Sequence, residues 1–219
     1  TVQAYIRAGA AGLHIEDQEA PKKSGTLAGR RLISVEEAVG KYRAAVAAKK
    51  ELDGDFVVCA RCDSVGSDGG NFEDAVRRGI AYAKDGGVDA VWMNTMTKRE
   101  EIEEACRRIP VPVIAPYYGP KPSPSFSEFQ KLGVSAVLYP SLTTANGLQL
   151  TWEILHEFKE RGPIVLDEWN KKAQASKHGM VPRTQDPILP AKKIIQLEED
   201  FIPKELQRDY DKTFGHNRH

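Results

Sequence analysis

Residues 55–63, DFVVCARCD, contain a continuous apolar run that ends in an arginine and an acid. A run without polar alternation is typical of a strand buried on both faces of a parallel sheet. Similar apolar runs lie within residues 8–17, 88–95, 111–118 and 134–141, and segments with apolar residues at helical spacing follow them. Strands that alternate with helices in this way predict a parallel α/β sheet of five strands.

The predicted helices cover residues 34–50, 71–87, 98–109, 125–133 and 143–162. Ser34 and Glu37 have the spacing of a capping box, and Asn71 is the expected N-cap of the second helix. After residue 162 the strand-helix alternation stops, and one apolar helix, 191–201, is predicted before a polar end. We therefore expect two parts: a barrel part, 1–162, and a helical tail, 163–219, that contacts another subunit or is partly disordered.

Two architectures fit five such strands: a doubly wound sheet, or part of a (β/α)8 barrel that would lack roughly its first three β/α units. No glycine-rich phosphate loop opens any predicted helix, which weakens the doubly wound nucleotide-binding alternative. Polar residues follow each strand: Glu16-Asp17, Arg61-Cys62-Asp63, Asn94-Thr95, Tyr117-Tyr118 and Tyr139-Pro140-Ser141. Polar groups at the carboxyl end of every strand are typical of the active-site face of a barrel, so we predict the barrel.

The composition narrows the class of protein. The 219 residues carry 31 basic and 31 acidic side chains, which gives no net field for binding nucleic acid. Apolar runs have the length of strands, so no membrane span is expected. Three cysteines suit a reducing compartment and predict a cytoplasmic protein. Cys59 and Cys62, three apart on a strand, should point to opposite faces and be buried structural thiols.

Five stretches, taken in order, resemble the isocitrate lyase/phosphoenolpyruvate mutase superfamily, and especially isocitrate and methylisocitrate lyases. They are AGAAGLHIEDQ, PKKSGTLAGRRLISVEEAVGKYRAA, CARCDS, AVRRGIAYAKDGGVDAVW and VSAVLYPS, within roughly residues 5 to 162. The resemblance implies an α/β barrel that swaps its eighth helix with a partner, in a homodimer or homotetramer. It also implies Mg2+ and a small carboxylate substrate that is cleaved at a C–C bond through an enolate.

Individual roles follow from the same resemblance. Glu16 matches the family's metal-shell glutamate, and Arg61 matches the arginine that binds a substrate carboxylate and serves catalysis. Ser24 stands at the position of the family's loop cysteine and is the remaining catalytic candidate. The candidate substrate-binding residues are Lys23, Gly25, Thr26, Arg61, Asn94 and Ser141. The family's Asp pair has no counterpart before Glu16, so we expect an N-terminal part to be missing or supplied as a separate chain.

Several positions depart from the lyase pattern. Ser24 replaces the cysteine, Thr26 the neighbouring histidine, Asn94 a glutamate, and Pro116 an asparagine. A serine hydroxyl has a far higher pKa than a thiol, so we expect that Ser24 is not a proton shuttle. Two alternatives stay open: a relative that acts on phosphonates or oxo-acids, and a structural paralogue without activity. His14 shares a strand face with Glu16, as either a core or a catalytic histidine.

Overall fold

The structure, a computed structural model, describes residues 1–25, 27–116, 119–177 and 191–208. The chain divides into two compact units, Thr1–Pro140 and Ser141–His219. The domain limit expected at residue 162 stays a prediction. No helix within the described residues is long and apolar enough to cross a membrane.

The first unit is a parallel sheet whose five strands pair in chain order, as predicted. The strands are β1 (Gly12–Glu16), β2 (Val57–Cys62), β3 (Ala90–Met93), β4 (Val113–Pro116) and β5 (Ala136–Leu138). The helices are α1 (Val2–Arg7), α2 (Val35–Leu52), α3 (Phe72–Lys84), α4 (Arg99–Arg108) and α5 (Phe126–Lys131). This order is that of an α/β barrel segment, while closure into eight strands and a swapped helix stay predictions.

The main core lies between the sheet and its helices. Val58, Ala60 and Val91 point from the strands into a cluster with Tyr42 of α2 and Tyr82 of α3. The opposite face of the sheet holds a small cluster of Cys59, Ala90 and Trp92, against which Ile114 packs. Because neighbouring residues on a strand face opposite ways, β2 and β3 contribute to both clusters.

The helix starts follow the local sequence closely. Asn71 caps α3 by accepting the N–H of Asp74 at 2.9 Å, as predicted. Ser34 caps α2 by accepting the N–H of Glu37 at 3.1 Å. Only this half of the predicted capping box is present, because the Glu37 carboxylate pairs with Lys41, one turn further along. The full reciprocal box occurs at α5, between Ser125 and Glu128.

The second unit contains α6 (Thr144–Arg161), α7 (Ile164–Ala175), α8 (Ala191–Phe201) and a short 3-10 turn, Lys204–Leu206. Helix α8 confirms the helix predicted at 191–201. The expectation that 191–201 was the one helix after residue 162 was wrong, because α7 forms directly after Pro163, its N-cap. Proline is tolerated there, since the first N–H groups of a helix have no intrahelical partner.

Candidate active site

Asp63 is the centre of a hydrogen-bonded cluster at the carboxyl ends of β1, β2 and β3. The residue is fully buried, and its Oδ1 accepts Arg61 Nε at 2.8 Å and Asn94 Nδ2 at 2.9 Å. Its Oδ2 accepts Arg61 Nη2 at 3.0 Å and Gln18 Nε2 at 2.6 Å. Parallel strands end at one edge of the sheet, so residues far apart in sequence meet on this carboxylate.

The carboxyl of Asp63 has a lowered pKa. Burial alone would raise the pKa of this group, but the hydrogen bonds and charge of Arg61, with further bonds from Asn94 and Gln18, lower it below its usual value. Asp63 is therefore ionised at neutral pH, and its charge holds the Arg61 guanidinium in one orientation.

Glu16, at the end of β1, lies between two cations. Arg61 Nη1 is 3.3 Å from Glu16 Oε2, and Lys22 Nζ is 2.9 Å from Oε1. The Arg61 guanidinium also lies over the Trp92 ring, 4.5 Å from its centroid. The sequence placed Glu16 and Arg61 at one edge of the sheet, and the structure brings them into contact.

His14 points to the same sheet face as Glu16 and is exposed. Its ring lies edge-on to Trp92, with centroids 5.0 Å apart. Partial burial of the ring, followed by the charge of Arg61, lowers the pKa of His14, so the imidazole is neutral at pH 7. The choice between a core and a catalytic role for His14 stays open.

The loop after β1 folds onto this cluster at Gly25. Gly25 is buried, and a Cβ added to it would lie 2.8 Å from Arg61 Nη2 and would also collide with Asn94. Gln18 anchors the loop, because its side chain exchanges two 3.0 Å hydrogen bonds with the backbone of Lys23. A larger residue at this point would have to displace the Asn94 amide and the Arg61 guanidinium, both of which are hydrogen-bonded to Asp63.

The other predicted site residues are exposed, belong to the second unit or lie outside the described residues. Ser24 is exposed, and its carbonyl accepts the N–H of Leu27 at 2.9 Å. Lys23 is exposed and reaches the site through its backbone bonds to Gln18. Thr26 lies outside the described residues. Ser141 begins the second unit, where its carbonyl accepts the N–H of Ala145.

Asn94 is almost fully buried and stands beside a strained residue. Its backbone N–H donates to the carbonyl of Cys62 at 3.0 Å, which continues the pairing of β2 and β3. The next residue, Thr95, has a φ of 66°, a conformation that a β-branched residue rarely adopts. The Thr95 hydroxyl donates to the carbonyl of Val65, and this bond holds the strained backbone in place.

A second buried carboxylate, Asp17, is hydrogen-bonded to the backbone of Asp63 and links the cluster to α3. Asp17 Oδ1 accepts the N–H of Asp63 at 2.9 Å, and Oδ2 accepts the Tyr82 hydroxyl at 2.7 Å. Arg78 donates to the Tyr82 oxygen at 3.1 Å and lies 3.6 Å from Asp17 Oδ2. Burial raises the pKa of Asp17. Sequence reasoning assigned no role to Asp17 or Gln18, although both directly follow Glu16 in the HIEDQ stretch.

The described residues do not form a complete metal centre. No group of three or more His, Cys, Asp or Glu side chains among them could hold a metal ion. Glu16 offers one carboxylate, already paired with Lys22 and Arg61. A Mg2+ ion needs six oxygen ligands, many of them waters, so Glu16 alone does not make its site.

The cysteines do not provide a thiolate. Cys59 and Cys62 are buried on opposite sheet faces, as predicted. Burial raises the pKa of Cys59 to about 11 and that of Cys62 well above its usual value. Cys106, on α4, has its pKa raised by burial to about 11. None of the three is a nucleophile at neutral pH.

Comparison with known protein families supplies the decisive observation. The family described as phosphoenolpyruvate phosphomutase matches residues 1–158 of the 219-residue chain. The chain belongs to the phosphoenolpyruvate mutase/isocitrate lyase family. The resemblance noted from the sequence is thereby confirmed.

Relatives in this family include several lyases. A 2-methylisocitrate lyase of Aeropyrum pernix is 37% identical over 164 residues, which cover 74% of this chain and 51% of the relative. A 2,3-dimethylmalate lyase of Eubacterium barkeri is 35% identical over 143 residues, 64% of this chain and 48% of the relative. The chain therefore spans about half the length of these relatives.

Solved structures give the same result. A crystal structure of 2,3-dimethylmalate lyase superposes with a TM-score of 0.76 at 25% identity, over 98% of this chain and 66% of that one. A structure of oxaloacetate acetylhydrolase bound to the inhibitor 3,3-difluorooxalacetate has a TM-score of 0.75 at 26% identity, over 91% and 64%. The α/β architecture with its parallel sheet is therefore that of this family.

Proposed function

We propose that this chain carries the carboxylate-binding side of a carbon–carbon lyase. The substrate is a 2-hydroxy di- or tricarboxylate of the methylisocitrate type, and cleavage passes through an enolate. One observation carries the proposal: buried, ionised Asp63 fixes the Arg61 guanidinium by two hydrogen bonds of 2.8 and 3.0 Å at the carboxyl ends of the strands. The lyase names of the relatives support the reaction class.

Arg61 has the chemistry that this reaction needs. A planar guanidinium binds a carboxylate through paired N–H groups, and a fixed cation stabilises charge that develops on a neighbouring oxygen. Trp92 and Asp63 together restrict the guanidinium, so little reorganisation is needed when an anion arrives. Lys22, 2.9 Å from Glu16, adds a second cation at the entrance.

The loop acts in this proposal mainly by closing over the substrate. A Cβ added to Gly25 would collide with Arg61 and Asn94, so the backbone of the loop passes close to the carboxylate clamp at this residue. The Ser24 hydroxyl is a poor proton donor or acceptor at neutral pH compared with a thiol. The proton-transfer groups of this enzyme therefore lie elsewhere than at Ser24.

A Mg2+ cofactor is a separate proposal, supported by family membership and by Glu16. The described residues do not complete a metal site, so further ligands would have to come from outside them. Calorimetric titration of the full chain with MgCl2, compared with Glu16→Gln, tests whether this carboxylate takes part in binding.

The activity test uses the purified full chain with Mg2+ and three substrates: 2-methylisocitrate, isocitrate and 2,3-dimethylmalate. Cleavage of the C–C bond at the hydroxyl-bearing carbon of these substrates releases a 2-oxo acid, which a coupled dehydrogenase detects. We expect Arg61→Gln to lower kcat/KM by about a hundredfold, because a charged hydrogen-bonded contact is lost. Ser24→Ala should cost less than about tenfold, against the roughly 10²–10⁴ expected for an acid-base group.

Gly25→Ala is the matched variant for Ser24→Ala, because the two residues are adjacent in the loop and each variant replaces one small residue with alanine. We expect Gly25→Ala to have the larger effect, because the added methyl group collides with Arg61 and Asn94. A loss of a hundredfold in Ser24→Ala with Gly25→Ala unaffected would contradict the proposed division of roles. Full activity in Arg61→Gln would refute the carboxylate clamp.

Phosphonate chemistry is the second candidate, favoured by the description of the matching family as phosphoenolpyruvate phosphomutase. Replacement of the lyase acid-base positions by Ser24, Asn94 and Pro116 agrees with a changed substrate. Conversion of phosphoenolpyruvate or a phosphonate, followed by 31P NMR, separates this candidate from the lyase. A chain inactive in both assays would point to the structural paralogue.

Self-association through α6 is a further proposal. Leu148, Trp152 and Leu155 follow each other at helical spacing and are 71%, 64% and 58% exposed. Such an apolar stripe is typical of a subunit contact. Sedimentation velocity should show a dimer or larger species at micromolar concentration, weakened by Trp152→Glu but not by Gln149→Glu on the same helix. A monomer would count against the proposal.

A further inference from the structure

A pocket of about 650 Å³ lies between the loop that follows β1 and the loop that follows β2. Arg30, Arg31 and Lys23 contribute cationic side chains to its lining. Glu19 and Asp68 also line it, so the lining side chains carry a net charge of +1 at neutral pH, three cations minus two anions. Apart from Gln18 and Lys23, which join the loop to the candidate active site, the residues that line this pocket have no part in the proposed lyase reaction.

Arg30 is the unusual residue of the pocket. Its side chain is only 4% exposed, and its Nη2 donates to the carbonyl of Val65 at 2.9 Å. Its Nε and Nη1 have no hydrogen-bond partner among the residues that the structure describes. Leaving buried, charged donors unpaired is costly, because water is excluded and no acceptor replaces it.

Asp63 does not satisfy these donors. Arg30 Nη1 lies 3.7 Å from Asp63 Oδ2, which is an ion pair without a hydrogen bond. Each oxygen of Asp63 already accepts two hydrogen bonds, from Arg61 and Asn94 on one and from Arg61 and Gln18 on the other. A carboxylate has about four acceptor positions, so its capacity is filled.

Two glycines keep side chains away from the cations. A Cβ at Gly66 would lie 2.7 Å from Arg30 Nη2, and one at Gly29 would lie 3.1 Å from Lys23 Nζ. Both glycines have positive φ, 81° and 73°, which other residues adopt only with strain. The backbone therefore passes close to both cations, and larger residues would fill this space.

We propose that this pocket binds a small oxyanion, a phosphate or carboxylate group, with Arg30 as its main ligand and Arg31 and Lys23 as supporting cations. Arg30 Nε and Nη1 lack acceptors but have almost no exposed surface, so a small movement of the side chain would bring them to an anion in the pocket. Guanidinium groups are well suited to both oxyanions. The same loop carries Gly25 onto Arg61, so a bound oxyanion holds the loop that covers the candidate active site.

The test is isothermal titration of the full chain in EDTA-containing buffer with inorganic phosphate and, separately, with succinate. We expect saturable binding of one equivalent, and the tighter of the two ligands identifies phosphate or carboxylate as the preferred chemistry. Arg30→Met should weaken binding by about tenfold or more, the value of a charged hydrogen bond. Absence of saturable binding tighter than about 10 mM for either ligand overturns the proposal.

The matched variants are Arg31→Gln and Arg43→Gln. Both make the same change, but Arg31 lines the pocket and Arg43 is exposed on α2. Arg31→Gln should weaken binding by about twofold to fivefold, and Arg43→Gln by less, because distant charges are screened. Equal effects of the two would show diffuse attraction and overturn the site. This pair decides the outcome even if Arg30→Met does not fold.

Glu16→Gln separates this inference from the proposed lyase. Glu16 does not line the pocket, so this variant should bind phosphate as the parent chain does. Failure of the lyase assay leaves that result unchanged, since the titration needs neither metal nor turnover. A change in phosphate binding in Glu16→Gln, such as tighter binding once the carboxylate that competes for Arg61 is neutral, would instead place the anion at the candidate active site and overturn the separate pocket.

Discussion

The two faces of the five-stranded sheet differ in how far their packing is completed. On the face covered by helices, Val58 and Val91 are fully buried in the main core. On the other face, Val57 is 43% exposed and Leu138 is 38% exposed, beside the small cluster around Trp92. Helices of the first unit pack on the first face, and within the described part of that unit this face is the source of most apolar stabilisation.

The polar cluster around Asp63 lies at the carboxyl ends of the strands, and its disruption should give the largest change in unfolding free energy. Asp63→Ala leaves Arg61 and Arg30 without their buried counter-charge, which we expect to cost about 3–5 kcal/mol of unfolding free energy. Chemical denaturation measures the change. Asp55→Ala, an exposed aspartate at the other end of β2, is the control and should stay within about 0.5 kcal/mol. Similar values for both variants would show that the cluster does not stabilise the fold.

Adjacent valines on β2 test the comparison of faces directly. Val58→Ala removes methyl groups from the main core and should cost about 2 kcal/mol of unfolding free energy. Val57→Ala makes the same chemical change on the open face and should cost less than about 0.5 kcal/mol. Urea titrations of the two variants give the difference. Equal costs would mean that the open face is covered in solution, for example by a partner.

Acid pH should give the smallest change in unfolding free energy, and the protonation of Asp63 is its expected cause. Its pKa is lowered in the folded chain, so its contribution to stability is present above the unfolded pKa, about 4, and is lost as pH falls through the folded pKa. Asp63→Asn should therefore flatten the loss of unfolding free energy below about pH 4. Denaturation from pH 7 to pH 3 tests this, with Asp55→Asn as control. An unchanged acid slope would contradict the assigned ionisation of Asp63.

Asp17 should change the stability of the fold with pH in the direction opposite to that of Asp63. Burial raises its folded pKa, so its protonation stabilises the fold below the unfolded pKa, and that contribution is lost as pH rises through the folded pKa. Asp63 and Asp17, which are neighbours in space, thus have pKa values shifted in opposite directions. Arg61 donates directly to Asp63, while Arg78 stays 3.6 Å from Asp17.

Most of the sheet and its helices could be predicted, and the exceptions have physical reasons. Periodicity located all five strands of the first unit and α2 to α5, since apolar spacing records which face is buried. Helix α7 was missed because the strand-helix alternation stops after residue 162, and a helix that follows another helix directly does not continue that alternation. Glu16, Arg61 and Asn94 could be expected together, because parallel strands end at one edge of the sheet.

The sequence by itself determined the parallel α/β order, the family, and the residues at the strand ends, because all three depend on local pattern and spacing. Only the tertiary structure decided that Asp63 joins Arg61, Asn94 and Gln18, that Gly25 rests on Arg61, and that Arg30 is buried with unpaired donors. The hydrogen bonds from Gln18 and Asn94 to Asp63 join residues that lie 45 and 31 positions apart in the sequence. Their geometry depends on how the loops fold back over the sheet, and that is set by packing rather than by neighbouring residues.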